Sequence, residues 1–197
     1  MTFNLPNNIP EFFKQENFIS DITHTSLSNN TPFIESECKV IDFDTVKNSL
    51  NSNLRSVDAL YIKPNNHWVF IEFKSGSIND DIADECITKI YDTVLLSTDI
   101  AFSNSIDYIT QNPIKFFREN CDCYLVYGKE KNSPYDKQHM TKGTKKYLNS
   151  KARLGHSFAK KANDDYILFG LHKFKGYLFK NVYTIDENTF KRKFHIE

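Results

Sequence analysis

Glycine is scarce in this chain, and the motifs that depend on it are missing. Only 6 of the 197 residues are glycine, and none falls into a phosphate-binding loop, a dinucleotide-binding fingerprint or a nucleophile elbow. The 6 histidines are scattered without an HxH or HxxxH pair, which argues against a histidine-bound zinc ion. The absence of these glycine-rich motifs also argues against the NTPase and dehydrogenase classes.

Cysteine is also scarce, and its spacing forms no known framework. Cys38, Cys86, Cys121 and Cys123 include no CxxC pair, so we expect free thiols packed as small apolar side chains. Cys121 and Cys123 would share one face of a strand, which is only a weak indication of metal binding.

Long apolar runs are absent. No window approaches the twenty apolar residues of a membrane span, and the segment 1–6 lacks the basic-then-apolar profile of a signal peptide. We therefore expect a soluble, cytoplasmic protein with no membrane partner.

The composition is typical of one folded domain. Hydrophobic residues make up 40% and charged residues 25%, and 17 Phe with 10 Tyr exclude a disordered chain. This length suffices to bury a core without disulfide or metal staples. We expect a single domain over 1–197, with a core over about 35–128, a basic segment over 129–163 and a C-terminal helix-strand-helix extension over 164–197.

Charge is distributed unevenly along the chain, although it sums to zero. Residues 1–100 carry 7 Lys and Arg against 15 Asp and Glu, whereas residues 101–197 carry 18 against 10. The basic excess lies in 129–161, and such a segment either binds phosphates or forms a solvated loop. The candidate nucleic-acid-binding residues are Lys142, Lys145, Lys146, Lys151 and Arg153.

Residue patterns predict the secondary structure around this segment. Two runs rich in β-branched and aromatic residues, 55–63 and 67–74, predict an antiparallel hairpin. An amphipathic helix is predicted over 80–97, with Lys89 outside its apolar face of Ile87, Ile90, Tyr91, Val94 and Leu95. The other predictions are a helix from Asp44 to Leu50, strands over 121–127 and 177–185, a helix over 165–174 and a terminal helix capped by Asp186. The element order predicts an α/β sandwich whose last core strand pairs through a crossover.

Three charged residues in the hairpin form the candidate site. Glu72 and Lys74 are two apart in the second strand, so both side chains leave the same face. In one hairpin register Asp58 points away from Glu72. In the register that places Pro64 opposite Trp68, Asp58 faces Lys74 and lies diagonal to Glu72, where two carboxylates can share one Mg²⁺. That register needs a three-residue loop or a bulge.

Asp58, thirteen intervening residues and Glu72-Phe73-Lys74 resemble the PD-(D/E)XK nuclease superfamily over about residues 35–128. The resemblance implies a restriction-endonuclease-like αβ sandwich with a central mixed sheet, an antiparallel hairpin carrying the site, and flanking helices. It also implies that Asp58 and Glu72 bind Mg²⁺ or Mn²⁺ while Lys74 assists the water that hydrolyses a phosphodiester bond. The expected substrate is nucleic acid, taken as DNA, in defence or repair. A homodimer stays open, because the family has dimeric and monomeric members.

The resemblance also directs attention to the flanking elements. A preceding helix in the family often supplies another glutamate, for which Glu37 is the candidate metal ligand and Glu35 the alternative. The exonuclease branch carries Gln-x-x-x-Tyr after the lysine, whereas the corresponding helix here offers Lys89 and Tyr91. That branch is disfavoured, and Lys89 is a candidate site residue. The cysteine spacing does not match the iron–sulfur members, so we expect no cluster.

Two other interpretations remain. Glu72 and Lys74 can form a surface cross-strand charge set in which Asp58 pairs with Lys74, although four apolar residues before Glu72 favour a functional site. Alternatively, the chain is a catalytically inactive nuclease-fold module that binds nucleic acid or protein, for example an immunity or regulatory protein.

Overall fold

Eight strands are present in the part of the chain that the structure, a computed structural model, describes: residues 5–132 and 167–196. They are β1 (Ile19–Asp21), β2 (Leu27–Ser28), β3 (Thr31–Pro32), β4 (Lys39–Asp42), β5 (Ala59–Ile62), β6 (Trp68–Lys74), β7 (Cys121–Tyr127) and β8 (Asn181–Asp186). Six of them form one sheet in the order β1-β4-β5-β6-β7-β8, and β2 pairs with β3 separately.

The described helices flank this sheet. They are α1 (Ile22–Thr25), α2 (Phe43–Ser49), α3 (Asp80–Ser103), α4 (Asp107–Thr110), α5 (Pro113–Asn120), α6 (Lys129–Asn132) and α7 (Glu187–Phe194), with short 3₁₀ turns at Glu11–Lys14, Glu16–Phe18 and Leu171–Phe174. None of these described helices has the length and hydrophobicity of a transmembrane span.

The sheet is mixed. Strands β1, β4, β5 and β6 pair antiparallel in sequence, whereas β7 runs parallel to β6 and β8 runs parallel to β7. Because β6 and β7 run parallel, the chain must cross over between them, and it does so through α3, α4 and α5. The predicted α/β class, the antiparallel hairpin and the crossover are therefore confirmed.

Alternate residues of the central strands feed two cores, one on each face of the sheet. On the α3 face, Leu60, Ile62, Trp68 and Phe70 pack with residues of α3 and α5. On the opposite face, Ala59, Val69, Ile71 and Phe73 pack with residues of α1 and α7. All four cysteines are free and buried, as predicted, with Cys121 and Cys123 in the α3-face core.

The helix predicted to be capped by Asp44 is capped two residues earlier, by Asp42. Helix α2 starts at Phe43, and the side chain of Asp42 accepts from the backbone N–H of Thr45. Asp44 instead lies in the first turn. The prediction was wrong because both aspartates can cap, and the end of β4 at Asp42 decides which one does.

The predicted helix over 80–97 is present but continues to Ser103, and its buried stripe is rotated. Its buried residues are Ala83, Cys86, Ile90, Thr93, Val94, Leu96, Ser97, Ile100 and Ala101. Tyr91 and Leu95, predicted to face inward, are 46% and 59% exposed. The rotation follows from Thr93, whose hydroxyl accepts from the backbone N–H of Val57 at 3.0 Å and so faces the sheet.

The C-terminal predictions are corrected in part. A helix over 165–174 is wrong in its described part, because Phe169 and Gly170 both adopt positive φ and only the turn Leu171–Phe174 follows. The strand predicted over 177–185 starts later, as β8. The Asp186 cap is confirmed, since its side chain accepts from the N–H groups of Asn188 and Thr189.

The C-terminal segment is also part of the main sheet rather than an addition to it. Strand β8 pairs with β7 over six residue pairs. Residues 133–166 lie outside the described residues. They include most of the basic segment over 129–163, with Lys142, Lys145, Lys146, Lys151 and Arg153.

Candidate active site

The register of the hairpin brings the two carboxylates face to face. Strand β5 pairs with β6 from Ala59 opposite Ile71 to Ile62 opposite Trp68. One more step along this register places Asp58 directly opposite Glu72. Neither register considered from the sequence is correct, although the expectation that the two side chains share a face is.

The hairpin loop explains the register. Lys63 and His67 are hydrogen bonded across the hairpin, with the Lys63 N–H donating to the His67 carbonyl at 2.8 Å. The loop is therefore the three residues 64–66, in which Asn66 takes a left-handed φ of 56°. Asparagine tolerates this conformation better than most residues.

The hydrogen-bond ladder between β5 and β6 ends at the side chain of Asp58. The backbone N–H of Phe73 donates to Asp58 Oδ2 at 2.6 Å, while the N–H of the neighbouring Val57 donates to Thr93. The carboxylate thus replaces the backbone partner that Phe73 would find in a continued strand. Because the N–H and C=O of a strand residue point toward the same neighbouring strand, the Phe73 carbonyl is expected on the β5 side of β6, the side on which Asp58 lies.

Glu72 is the buried member of the pair. The residue is 2% exposed, and its Oε1 atom lies 3.0 Å from Lys74 Nζ and 2.8 Å from Lys89 Nζ. Its Oε2 atom is buried and has no hydrogen-bond partner among the described residues. This burial contradicts the interpretation of a surface charge set, because a surface carboxylate would be solvated.

Lys89 reaches the site from α3. Its Nζ atom bridges the two carboxylates, at 2.8 Å from Glu72 Oε1 and 3.3 Å from Asp58 Oδ1. The expectation that Lys89 lies outside the inward face is wrong, since Lys89 stands between the buried Cys86 and Thr93 on the sheet-facing stripe. The i, i+3, i+7 spacing of these three residues was the available sequence signal.

Burial and charge crowding alter the protonation of the site. Burial, and then the charge of Glu72, raise the pKa of Asp58 to about 8. Burial acts to lower the pKa of Lys89 and of Lys74, but Glu72 outweighs it and the pKa of both lysines is raised. Both lysines are therefore ammonium ions at neutral pH, while Asp58 holds a proton when no other cation is present.

Cys86 adjoins this cluster on α3, and it is not activated as a nucleophile. Burial, followed by the charge of Glu72, raises the pKa of its thiol to about 12. A thiol in this state is not deprotonated at neutral pH.

A cleft of about 230 Å³ opens beside the site. It lies between the β2–β3 hairpin and the end of β6, and its lining includes Asp58, Phe73 and Lys74 from the site and Ser28 and Phe33 from the hairpin. The side chains of Asp58 and Lys74 are 16% and 20% exposed. Both side chains are therefore accessible from the cleft.

The third carboxylate expected from the resemblance is not part of this cluster. Glu35 and Glu37 are exposed in the loop before β4 rather than on a helix. Among residues 5–132 and 167–196, no group of three or more His, Cys, Asp or Glu side chains is close enough to hold a metal ion. Glu37 therefore does not join Asp58 and Glu72.

A divalent cation nevertheless fits the remaining donors. Asp58 and Glu72 supply hard carboxylate oxygens, the ligand type that Mg²⁺ prefers, and Mg²⁺ is commonly held by one or two carboxylates with water completing its shell. The unpaired, buried Oε2 of Glu72 is the feature that a cation would satisfy.

The chain leaves the sheet beside Lys74 and enters the basic segment there. Lys74 lies opposite Tyr127 in the parallel ladder, and the Gly128 N–H donates to the Lys74 carbonyl at 3.0 Å. Helix α6 begins at Lys129, the first of the basic residues. The basic segment thus starts at the carboxyl ends of β6 and β7, the end of the sheet that carries Lys74.

A second polar cluster, not singled out from the sequence, lies at the opposite end of β6. His67 Nε2 is 2.9 Å from Asp122 Oδ2, and Asn181 donates to Asp122 Oδ1 at 2.9 Å. Burial acts to raise the pKa of Asp122, but the hydrogen bonds from His67 and Asn181 outweigh it and the pKa is lowered. This cluster ties the hairpin to β7 and β8.

Comparison with known proteins adds no relative. No protein-family model, no curated protein and no solved structure matches this chain.

Proposed function

We propose that the protein is a metal-dependent nuclease of the PD-(D/E)XK type, with a restriction-endonuclease-like fold, that hydrolyses phosphodiester bonds in DNA. The observation that carries the proposal is the buried carboxylate of Glu72, with an unpaired oxygen, directly opposite Asp58 and beside Lys74. Burying such a group costs free energy that the fold does not recover through Oε2. Uncompensated groups of this kind are concentrated at functional sites.

Asp58, Glu72 and the carbonyl of Phe73 would hold Mg²⁺ or Mn²⁺. A bound ion supplies Lewis-acid polarisation of the phosphoryl oxygens and a more acidic water. Asp58 must lose its proton to join, which the positive charge of the ion favours.

Lys74 acts as a cation at the mouth of the site. Its Nζ is held 3.0 Å from Glu72 and 3.5 Å from Glu85, while the side chain remains 20% exposed at the cleft. A raised pKa makes it a donor that orients water and offsets negative charge on the phosphate. It is an ammonium here, so a role as base would require a cation at the carboxylates to lower its pKa.

The proposal that the substrate is a nucleic acid rests on the charge of the chain near the site. An acidic site does not hold a polyanion without nearby positive charge, and the stretch that starts at Lys129 carries ten Lys and Arg by residue 161. That stretch begins at the same end of the sheet as Lys74.

One observation favours the alternative of a catalytically inactive binding module. Lys89 lies between the two carboxylates and supplies a positive charge to the pair without any metal. In that case the cluster would be a structural ionic network, and the protein would bind nucleic acid or a protein partner without cutting it.

Calorimetric titration with Mn²⁺, together with cleavage assays on plasmid, oligonucleotide and RNA, separates the two functions. We expect wild type to bind Mn²⁺ and cut, and Asp58→Asn and Glu72→Gln to do neither. Lys74→Ala should bind Mn²⁺ but lose cleavage, because it removes the exposed cation and leaves both carboxylates. The matched control is Asp99→Asn, an exposed carboxylate ten residues beyond Lys89 on α3, which should behave as wild type.

The results discriminate as follows. Metal binding by wild type that Asp58→Asn abolishes, with cleavage in the same preparation, supports the nuclease. Folded wild type that neither binds Mn²⁺ nor cuts any of the three substrates refutes the nuclease and supports the binding module.

A further inference from the structure

We propose that Lys89 is a positioning residue, an internal counterion that occupies the carboxylate pair in the metal-free protein and is displaced when a divalent cation binds. The inference rests on the proposed metal site at Asp58 and Glu72. It assigns a role to a side chain that the nuclease motif itself does not include.

The first argument is geometric. A single ammonium group contacts one oxygen of each carboxylate, at 2.8 Å and 3.3 Å. Asp58 Oδ2 already accepts from the Phe73 N–H, so a cation shared by the two carboxylates would use Asp58 Oδ1, the oxygen that Lys89 contacts. The ammonium and a metal ion bound at that oxygen repel each other by like charge.

The second argument is that the buried carboxylate of Glu72 needs a cation in the metal-free state. Asp58 and Glu72 face each other at the end of an antiparallel ladder, where opposite side chains are close. Glu72 is almost wholly buried, and solvent does not screen it. Lys89 stabilises this arrangement, so the site stays assembled before a metal arrives.

The third argument is that a second carboxylate, that of Asp44, is available to the Lys89 ammonium once it leaves the pair. Its flexible four-carbon stem allows the ammonium to move without shifting α3. The carboxylate of Asp44 is a further negative group that acts on Lys89, and it is 49% exposed. Asp44 is held by Ser56 Oγ at 2.5 Å and Lys47 Nζ at 3.1 Å.

Displacement costs free energy, so the lysine weakens metal binding. A hydrogen bond to a charged group contributes about 1.5–3 kcal/mol, which corresponds to roughly ten- to hundredfold in affinity. Lys89→Met keeps most of the aliphatic stem and removes the competing charge. We expect it to bind Mn²⁺ about ten- to hundredfold more tightly than wild type.

The experiment is calorimetric titration with Mn²⁺ of wild type, Lys89→Met, Lys89→Gln and Lys89→Arg. Lys89→Arg retains a competing cation and should remain near wild type. Lys180→Met, which removes an exposed lysine elsewhere, controls for the change in net charge and should also remain near wild type. Thermal unfolding in EDTA and in Mn²⁺ gives an independent readout: Lys89→Met should be less stable than wild type in EDTA and gain more from Mn²⁺.

The outcomes distinguish this inference from the proposed function. If wild type binds Mn²⁺ and neither neutral variant binds more tightly, Lys89 does not compete and the inference fails while the metal site stands. If neither wild type nor the neutral variants bind Mn²⁺, both fail. Binding by Lys89→Met or Lys89→Gln but not by wild type supports the inference in its strongest form, and Lys89→Gln keeps the test available should the methionine variant not fold.

Discussion

The raised pKa of Asp58 makes a prediction that needs no metal and no substrate. Asp58→Asn keeps the shape of the side chain and removes its titration. In the folded protein the pKa of Asp58 is about 8, against 3.8 for an unperturbed aspartate side chain. The folded state therefore holds a proton that the unfolded chain has lost, and protonation of Asp58 favours folding across this interval.

The sign and size of this contribution to the free energy of unfolding follow from the linkage between protonation and folding. The contribution is fully present below the unfolded pKa and is lost as the pH rises through about 8. Each pH unit in the interval corresponds to about 1.4 kcal/mol, which sets a ceiling of about 6 kcal/mol. We expect about 2–4 kcal/mol, because the side chain is 16% exposed at the cleft and the surroundings respond to its charge.

Urea unfolding at pH 5, 6, 7, 8 and 9 in EDTA measures this contribution. Trp68, the single tryptophan and fully buried, reports unfolding by fluorescence. The free energy of unfolding of wild type minus that of Asp58→Asn should fall from pH 5 to pH 8 and level off near pH 9. Taking the difference removes the titration of the histidines, and wild type minus Asp99→Asn should stay constant. A wild-type minus Asp58→Asn difference that does not change from pH 5 to pH 9 would refute the reasoning, because Asp58 would then be ionised throughout.

Two further predictions concern the elements that hold the site. Thr93→Val should destabilise the protein by about 1–3 kcal/mol, because it leaves the buried N–H of Val57 unpaired; Ser97→Ala on the same helix face should change the free energy of unfolding by less than about 0.5 kcal/mol, because its hydroxyl has no partner among the described residues. Equal effects of the two variants in urea unfolding would contradict this assignment. Gly128→Ala should cost about 1–3 kcal/mol, because a Cβ atom there would lie 2.9 Å from the backbone oxygen of Ser75. An alanine variant as stable as wild type in the same assay would show that the β6 and β7 ends can separate freely.

Local sequence patterns were enough to predict the hairpin, the crossover strand and the Asp186 cap, because each of these depends on residues adjacent in sequence. Alternation along β6 placed Glu72 and Lys74 on one face without any knowledge of the tertiary structure. Asp58 was placed on the correct face through an incorrect register. The three-residue loop is 64–66 instead of 65–67, which moves Asp58 from opposite Lys74 to opposite Glu72, and a slip of two residues keeps the face. The end of β4 likewise settled the choice between Asp42 and Asp44 as the cap of α2.

Sequence by itself therefore determined which charged groups leave the hairpin and on which side, because strand geometry repeats every two residues. Tertiary structure alone decided that Lys89 bridges the two carboxylates, that Glu37 stays exposed, and that Glu72 keeps one buried oxygen unpaired. The rotation of a helix about its axis is set by the surface against which it packs, and α3 turns small polar residues as well as apolar ones toward the sheet. Hydrophobic periodicity records only the apolar part of that contact, so it does not reveal a lysine on the buried side.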